Sequence, residues 1–241
     1  MTLKAGLFAT CLADIFRPQL AAAAAQLIRE AGATPFYPPR QTCCGQIAFN
    51  GGNFADAAIL AEKCADLFVG CDKVVFPSAS CCGLFRVHWR EMCGEDNKKM
   101  RDFADKCVEL SEFLLQMNYI PPLRRDLSVR ATYHDCCAGL RELGIKQGPR
   151  SLLARAGVEI VEMRDCEECC GFGGAFSVKF GALSVALADR KCENIAAAAD
   201  TVLLGDLGCI LHLEGRLRRL GKNIRLRHWA EVLADSENRA P

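Results

Sequence analysis

Residues 169–176 read CCGFGGAF and residues 41–46 read QTCCGQ. The Cys-Cys-Gly turn they share sets the frame of the chain. Around the earlier copy, Cys11 is followed by 31 residues and then Cys43-Cys44-Gly45, and 36 residues separate Cys44 from Cys81. Around the later one, Cys136 is followed by 32 residues and then Cys169-Cys170-Gly171, and 38 residues separate Cys170 from Cys209. Two sets built as single, pair plus glycine, single describe one thiol-bearing unit duplicated within the chain.

The surrounding pattern alternates strand and helix. Strands are expected at Lys4–Thr10, Thr34–Tyr37 and Lys73–Phe76, and again at Val129–Tyr133, Val158–Met163, Thr201–Leu204 and Ile224–Arg227. Helices are expected at Arg17–Ala31, Phe54–Val69 and Gly83–Met92, then at Gln147–Ala156, Ala182–Ala198 and Leu211–Leu220, with a short one ending at Leu233. Gly32, Gly157 and Gly221 supply stop signals. This order predicts an α/β fold of two pseudo-symmetric domains, with parallel sheets and helices packed on them. The expected boundaries are residues 1–93 for the first domain, 94–127 for a helical connector and 128–241 for the second. The connector contains the charged run GEDNKK and an apolar stripe at Leu110, Phe113 and Leu114.

On that outline Cys11, Cys43-Cys44, Cys81, Cys136, Cys169-Cys170 and Cys209 each follow a strand. Ligands of open parallel sheets bind outside the carboxyl ends of the strands. A strand–helix–strand unit spans about 30 residues, so thiols spaced this way meet at one sheet edge. Glycine after each pair allows close approach and a positive φ. Iron–sulfur clusters are held by sets of thiolates. Structural zinc sites usually use close pairs such as C-x₂-C, and ligands spread over three strand ends with adjacent cysteines favour iron–sulfur over zinc.

Composition narrows the class. The chain has 241 residues, 51% apolar and 24% charged, with net charge +1, so no long-range field points to nucleic acid or an anionic membrane. No apolar run approaches the ~18 residues of a membrane helix, and the start has no signal-peptide layout. Sixteen cysteines in a chain expected in the cytoplasm indicate metal or redox chemistry rather than disulfides. The glycines at 171, 173 and 174 do not fit a nucleotide-binding loop.

The stretches QTCCGQ (41–46), YHDCCAGLRELG (133–144), CCGFGGAF (169–176) and GDLGC (205–209) resemble the lactate utilisation protein A family of cysteine-rich CCG-domain proteins. The cysteine-rich subunit of heterodisulfide reductase and the glycolate oxidase iron–sulfur subunit belong to the same wider group. The resemblance implies two CCG domains with one iron–sulfur cluster per motif, of 4Fe-4S type. It implies an electron-transfer part in oxidising L-lactate to pyruvate, beside a ferredoxin-type iron–sulfur subunit and a third small subunit. Carried over by position, the ligands are Cys11, Cys43, Cys44 and Cys81, then Cys136, Cys169, Cys170 and Cys209. A heterodisulfide-reductase-like thiol–disulfide activity, or service to another 2-hydroxy acid such as glycolate, are the alternatives.

The chain departs from the five-thiol pattern of the heterodisulfide reductase relative. Ser78 and Asp206 stand where that pattern has a further cysteine, which disfavours direct disulfide reduction. Cys82, Cys137 and Cys166 lie close enough in sequence to add a ligand, and Cys166-x-x-Cys169 is a local pair. Cys64 and Cys192 sit on apolar helix faces and read as core, and Cys71, Cys93 and Cys107 have no pattern. His134 lies beside a ligand and reads equally as a cluster neighbour or a structural residue, and Asp135 reads as a cap. His88, His212 and His228 read as structural, and the basic run GRLRRLGKNIRLR as a solvated face. No residue is an evident hydride acceptor or general base for a 2-hydroxy acid.

Overall fold

The computed structural model describes residues 2–123 and 130–234. They fall into two compact units that divide between Tyr119 and Ile120.

The first unit runs β1 (Lys4–Leu7), α1 (Cys11–Phe16), α2 (Pro18–Glu30), β2 (Thr34–Phe36), α3 (Gln46–Asn50), α4 (Phe54–Leu67), β3 (Lys73–Phe76), α5 (Ala79–Arg86), α6 (Trp89–Cys93), α7 (Lys98–Ala104), β4 (Cys107–Glu109) and α8 (Leu110–Gln116). Its four strands are parallel in the order β2-β1-β3-β4. Helix α2 starts with Pro18 at its first turn, where the missing N–H costs nothing, and buries Leu20, Ala23, Ala24, Leu27 and Ile28. Asn53 caps α4 by accepting the Asp56 N–H at 3.2 Å. The core is aromatic: Phe8 lies 4.7 Å from Phe76, and Phe85 packs edge-on to Phe103 at 5.1 Å.

The second unit runs β5 (Arg130–His134), a single π-helical turn (Ala138–Glu142), α9 (Gln147–Arg155), β6 (Glu159–Ile160), α10 (Ala175–Lys179), α11 (Gly181–Ala198), β7 (Thr201–Leu204), α12 (Leu207–Arg219), β8 (Arg225–His228) and α13 (Trp229–Ala234). Its strands are also parallel, in the matching order β6-β5-β7-β8. Leu152, Ile195, Leu203, Ile210, Leu213 and Trp229 fill its core. The α/β architecture with parallel sheets is therefore as expected.

Sheet register equates the two halves residue by residue. Leu7 pairs with Val75, six positions before Cys81, and Tyr133 pairs with Leu203, six positions before Cys209. Counting on from Leu7 and Tyr133, Phe8 falls on His134, Thr10 on Cys136 and Cys11 on Cys137. The far edges match as well. Phe76 pairs with Glu109 in one unit and Leu204 with His228 in the other. Glu109 and Glu112 form a capping box on α8. His228 and Glu231 repeat it on α13, with the His228 N–H donated to Glu231 at 3.0 Å and the Ala230 N–H donated to His228 Nδ1 at 3.1 Å.

That match corrects the expected organisation. Residues 94–119 are not a helical connector; they supply α7, β4 and α8, and β4 is the fourth strand of the first sheet. The expected connector's residues 124–127, the start of the expected strand at Val129, and residues 235–241 lie outside the described residues. The helix expected at Gly83–Met92 is two, and it begins earlier, at Ala79. The helix expected from Leu211 begins at Leu207, and the strand expected at Val158–Met163 is only Glu159–Ile160. These earlier helix starts place Cys81 and Cys209 in first helical turns, as Cys11 is in α1.

Candidate metal centres

In the first unit, three loops at the carboxyl ends of β1, β2 and β3 bring four thiols together. Cys11 opens α1, whose cap is Thr10, accepting the Ala13 N–H at 3.2 Å. Cys43 and Cys44 lie in the turn before α3, and Cys81 lies in α5. The Cys44 thiol donates to the Cys81 sulfur at 3.2 Å, and the Gly45 N–H donates to the Cys43 sulfur at 3.5 Å. Hydrogen bonds from Cys11 and Cys44 hold the Cys43 thiol far down, to about 2, against the opposing pull of burial. Cys11 is pushed up by the same contact with Cys43, and Cys44 by its contacts with Cys43 and Cys81. One sulfur of the nest thus carries charge while its neighbours donate to it.

The second unit repeats the arrangement. The Cys170 thiol donates to the Cys209 sulfur at 3.2 Å, and the Gly171 N–H donates to the Cys169 sulfur at 3.3 Å. The Cys169 thiol is held down to about 2, first by the thiol of Cys137 and then by that of Cys170. Cys169 is thus hydrogen-bonded to Cys137, the residue after the expected Cys136. Register explains it, because Cys137 is the counterpart of Cys11 and Cys136 of the cap Thr10. A signal was available: 31 residues separate Cys137 from Cys169, as they do Cys11 from Cys43.

The glycine after each pair is required by shape. Gly45 has φ +99 and Gly171 has φ +88, and a Cβ at Gly171 would stand 2.5 Å from the Ser184 carbonyl oxygen. A side chain there would push the turn off α11 and its sulfurs out of the nest.

Other sequence candidates take other places. Asp206 accepts the Gly208 N–H at 3.1 Å as the cap of α12, and Ser78 precedes α5 with its hydroxyl 3.2 Å from that of Ser80. Cys166 is pushed up by burial and by Asp135 and Glu162, and it faces those carboxylates rather than the thiols. Cys82 is buried beside Cys107, away from the nest. Cys64 lies under the first nest, its thiol donated to the Cys43 carbonyl at 3.7 Å. Asp135 is not a cap: Arg150 grips it at 2.7 and 2.8 Å.

Two histidines contribute more than sequence reasoning assigned. His134 is fully buried, and its ring lies with the Cys170 and Cys209 sulfurs, the ligand atoms all within 4.8 Å of one another. Burial, followed by the Lys191 charge, drives its imidazole down to about 3, so it is neutral. His212 packs on Phe172 at 5.8 Å and reaches the Ser184 hydroxyl at 3.4 Å. His88 pairs with Glu91 at 2.8 Å.

A profile of the cysteine-rich CCG domain matches residues 5–86 and 131–214, one match to each nest. The chain belongs to the CCG cysteine-rich domain family. Within that family it is similar to proteins named lactate utilization protein A: one from Bacillus cereus is 37% identical over 98% of this chain and 100% of that protein. Another, from a Geobacillus species, is 39% identical over 96% of this chain and 99% of its own length. The fold resembles a crystal structure of a hypothetical protein from Helicobacter pylori, with TM-score 0.68 at 13% identity. That match covers 99% of this chain, which spans 49% of the other. Each CCG match thus spans three of the four strands of a sheet and the cysteines of its nest.

The donors suit a soft metal. Thiolate sets select zinc, Cu(I) or iron–sulfur centres, and N–H groups aimed at sulfur stabilise the charge such ligands carry. Both imidazole nitrogens of His134 are buried with no hydrogen-bond partner among the described residues.

Proposed function

We propose that the chain is the iron–sulfur electron-transfer subunit of a complex that oxidises L-lactate to pyruvate. One cluster, of 4Fe-4S type, is bound in each unit. The observation that carries this reading is the duplication of one four-thiol nest at the carboxyl ends of two parallel sheets, in a chain whose relatives are named for lactate utilization. Cys11, Cys43, Cys44 and Cys81 hold the first cluster, and Cys137, Cys169, Cys170 and Cys209 the second.

The bound cluster supplies a one-electron carrier. The chain's own residues hold its charge: Cys43 and Cys169 provide the most acidic sulfurs, and the N–H groups of Gly45 and Gly171 point at them. Such hydrogen bonds help set the reduction potential. The exposed side chains of Ile15, Phe16 and Ile47 lie on the helices around the first nest, and those of Val178, Phe180 and Leu183 follow the second. Apolar groups left in water beside a redox centre support docking of partners, here a ferredoxin-type iron–sulfur subunit and a third small subunit. The cytoplasm, where thiols stay reduced, is the compartment this chemistry needs.

The test is anaerobic iron and sulfide analysis with electron paramagnetic resonance on the wild type, on C43S/C44S and on C169S/C170S. Each double variant is expected to lose the iron of one centre, and lactate is expected to reduce the clusters only in the assembled three-subunit complex. Full iron in both variants overturns the reading.

A further inference from the structure

We propose that His134 is a fifth ligand of the second centre, beside Cys170 and Cys209, so that the two centres differ in ligand set and in potential. The proposal rests on the iron–sulfur reading above.

Three observations converge on it. Both ring nitrogens of His134 are buried and lack a hydrogen-bond partner among the described residues. The Cys166 carbonyl approaches the ring, but not in hydrogen-bonding geometry. Native interiors rarely leave such atoms unpaired, and an orphan calls for an explanation such as an ion. The ring's ligand atom and the sulfurs of Cys170 and Cys209 all lie within 4.8 Å of one another, with the sulfurs at 3.2 Å. Ligands of a single tetrahedral ion, with bonds of about 2.0 Å to nitrogen and 2.3 Å to sulfur, stand ~3.5–3.8 Å apart. The ring therefore stands within a small adjustment of ligand range beside these two sulfurs.

The first unit provides the control. The residue in register with His134 is Phe8, which stacks against Phe76 at 4.7 Å. The fold accepts a wholly apolar ring at this place, so packing alone does not call for imidazole in the second unit. The surroundings differ too. Lys191 is 1% exposed, its ammonium donated to the Asp165 carbonyl, at the place where the first unit has the buried thiol Cys64. The Lys191 ammonium beside Cys170 adds positive charge next to the second centre and favours its reduced form.

The experiment uses the full chain carrying C43S/C44S, so that only the second centre is loaded. It is reconstituted anaerobically with iron and sulfide and reduced with dithionite. Pulsed electron paramagnetic resonance on protein with natural and ¹⁵N-labelled histidine reads any nitrogen bound to the cluster. The expected result is a histidine nitrogen coupling that changes with the label and is lost in H134F, together with a shifted midpoint potential or less iron in that variant. The wild-type label comparison needs no substitution, so a folding defect in H134F cannot decide the outcome. Full iron with no histidine coupling, or a coupling that survives in H134F, overturns the ligand assignment and leaves the iron–sulfur reading standing. Absence of iron and sulfide from the second centre overturns both.

Discussion

Arg150 holds Asp135 through both terminal nitrogens of its guanidinium, at 2.7 and 2.8 Å, with Arg150 10% and Asp135 2% exposed. Glu162 takes the remaining edge at 2.6 Å, and the Tyr133 ring lies 4.5 Å beneath. Asp135 stands between His134 and Cys136, so this pair anchors the loop that delivers Cys137. Removing one partner of a buried pair costs about 3–5 kcal/mol. Because Glu162 still holds Arg150, Asp135→Ala is expected near the lower end, about 3 kcal/mol. A shift of the urea midpoint to lower concentration checks it.

The two thiols before the π-helical turn are expected to behave differently. Cys137→Ser should lower the iron and sulfide bound by the second centre and alter its spectrum. Cys136→Ser, at the position of the cap Thr10, should leave iron content within error of wild type. Equal losses in the two variants contradict the register argument.

Gly171→Ala forces a side chain into positive φ and within 2.5 Å of the Ser184 carbonyl, whereas at Gly45 the nearest atom, the Ala57 carbonyl oxygen, is 3.1 Å away. Backbone strain of this kind costs about 1–3 kcal/mol. Gly171→Ala is therefore expected to cost more than Gly45→Ala, both in thermal midpoint and in metal retained after reconstitution. The reverse ranking contradicts it.

Glu109 predicts a pH effect remote from the nests. Its carboxyl is fully buried at the cap of α8, and burial pushes it from 4.5 up to about 7, although Ser111 bonds to it. An acid with a raised folded-state value binds more protons folded than unfolded across that window. Stability therefore falls as pH rises from about 4.5 to 7, by an amount on the order of 3 kcal/mol at 1.36 kcal/mol per unit. Urea midpoints between pH 5 and 8 should decline more steeply in wild type than in Glu109→Gln. Parallel slopes refute the assignment.

The central strands were legible because their signal is local. Lys73–Phe76 and Thr201–Leu204 are short apolar runs closed by Pro77 and Gly205, and both lie where expected. The edge strand β4 was hidden: Cys107–Glu109 is three residues long and adjoins the helical stripe of α8. Comparison with Arg225–His228 would have revealed it, since Glu109…Glu112 and His228…Glu231 carry the same spacing. The cysteine pairs were readable from spacing, but the choice between Cys136 and Cys137 turned on a one-residue register that strand pattern leaves open. His134 was readable as a neighbour of the nest from its place in YHDCC, but its buried ring nitrogens are a property of the folded interior.

Cys11 and Cys81 come from β1 and β3, hydrogen-bonded neighbours whose sequence positions are far apart. Parallel pairing over such distances forms late in folding. A newly made chain therefore keeps these sulfurs separated until the first half has closed. A metal held by this nest would therefore enter a completed cradle, as a finishing step after the half has closed.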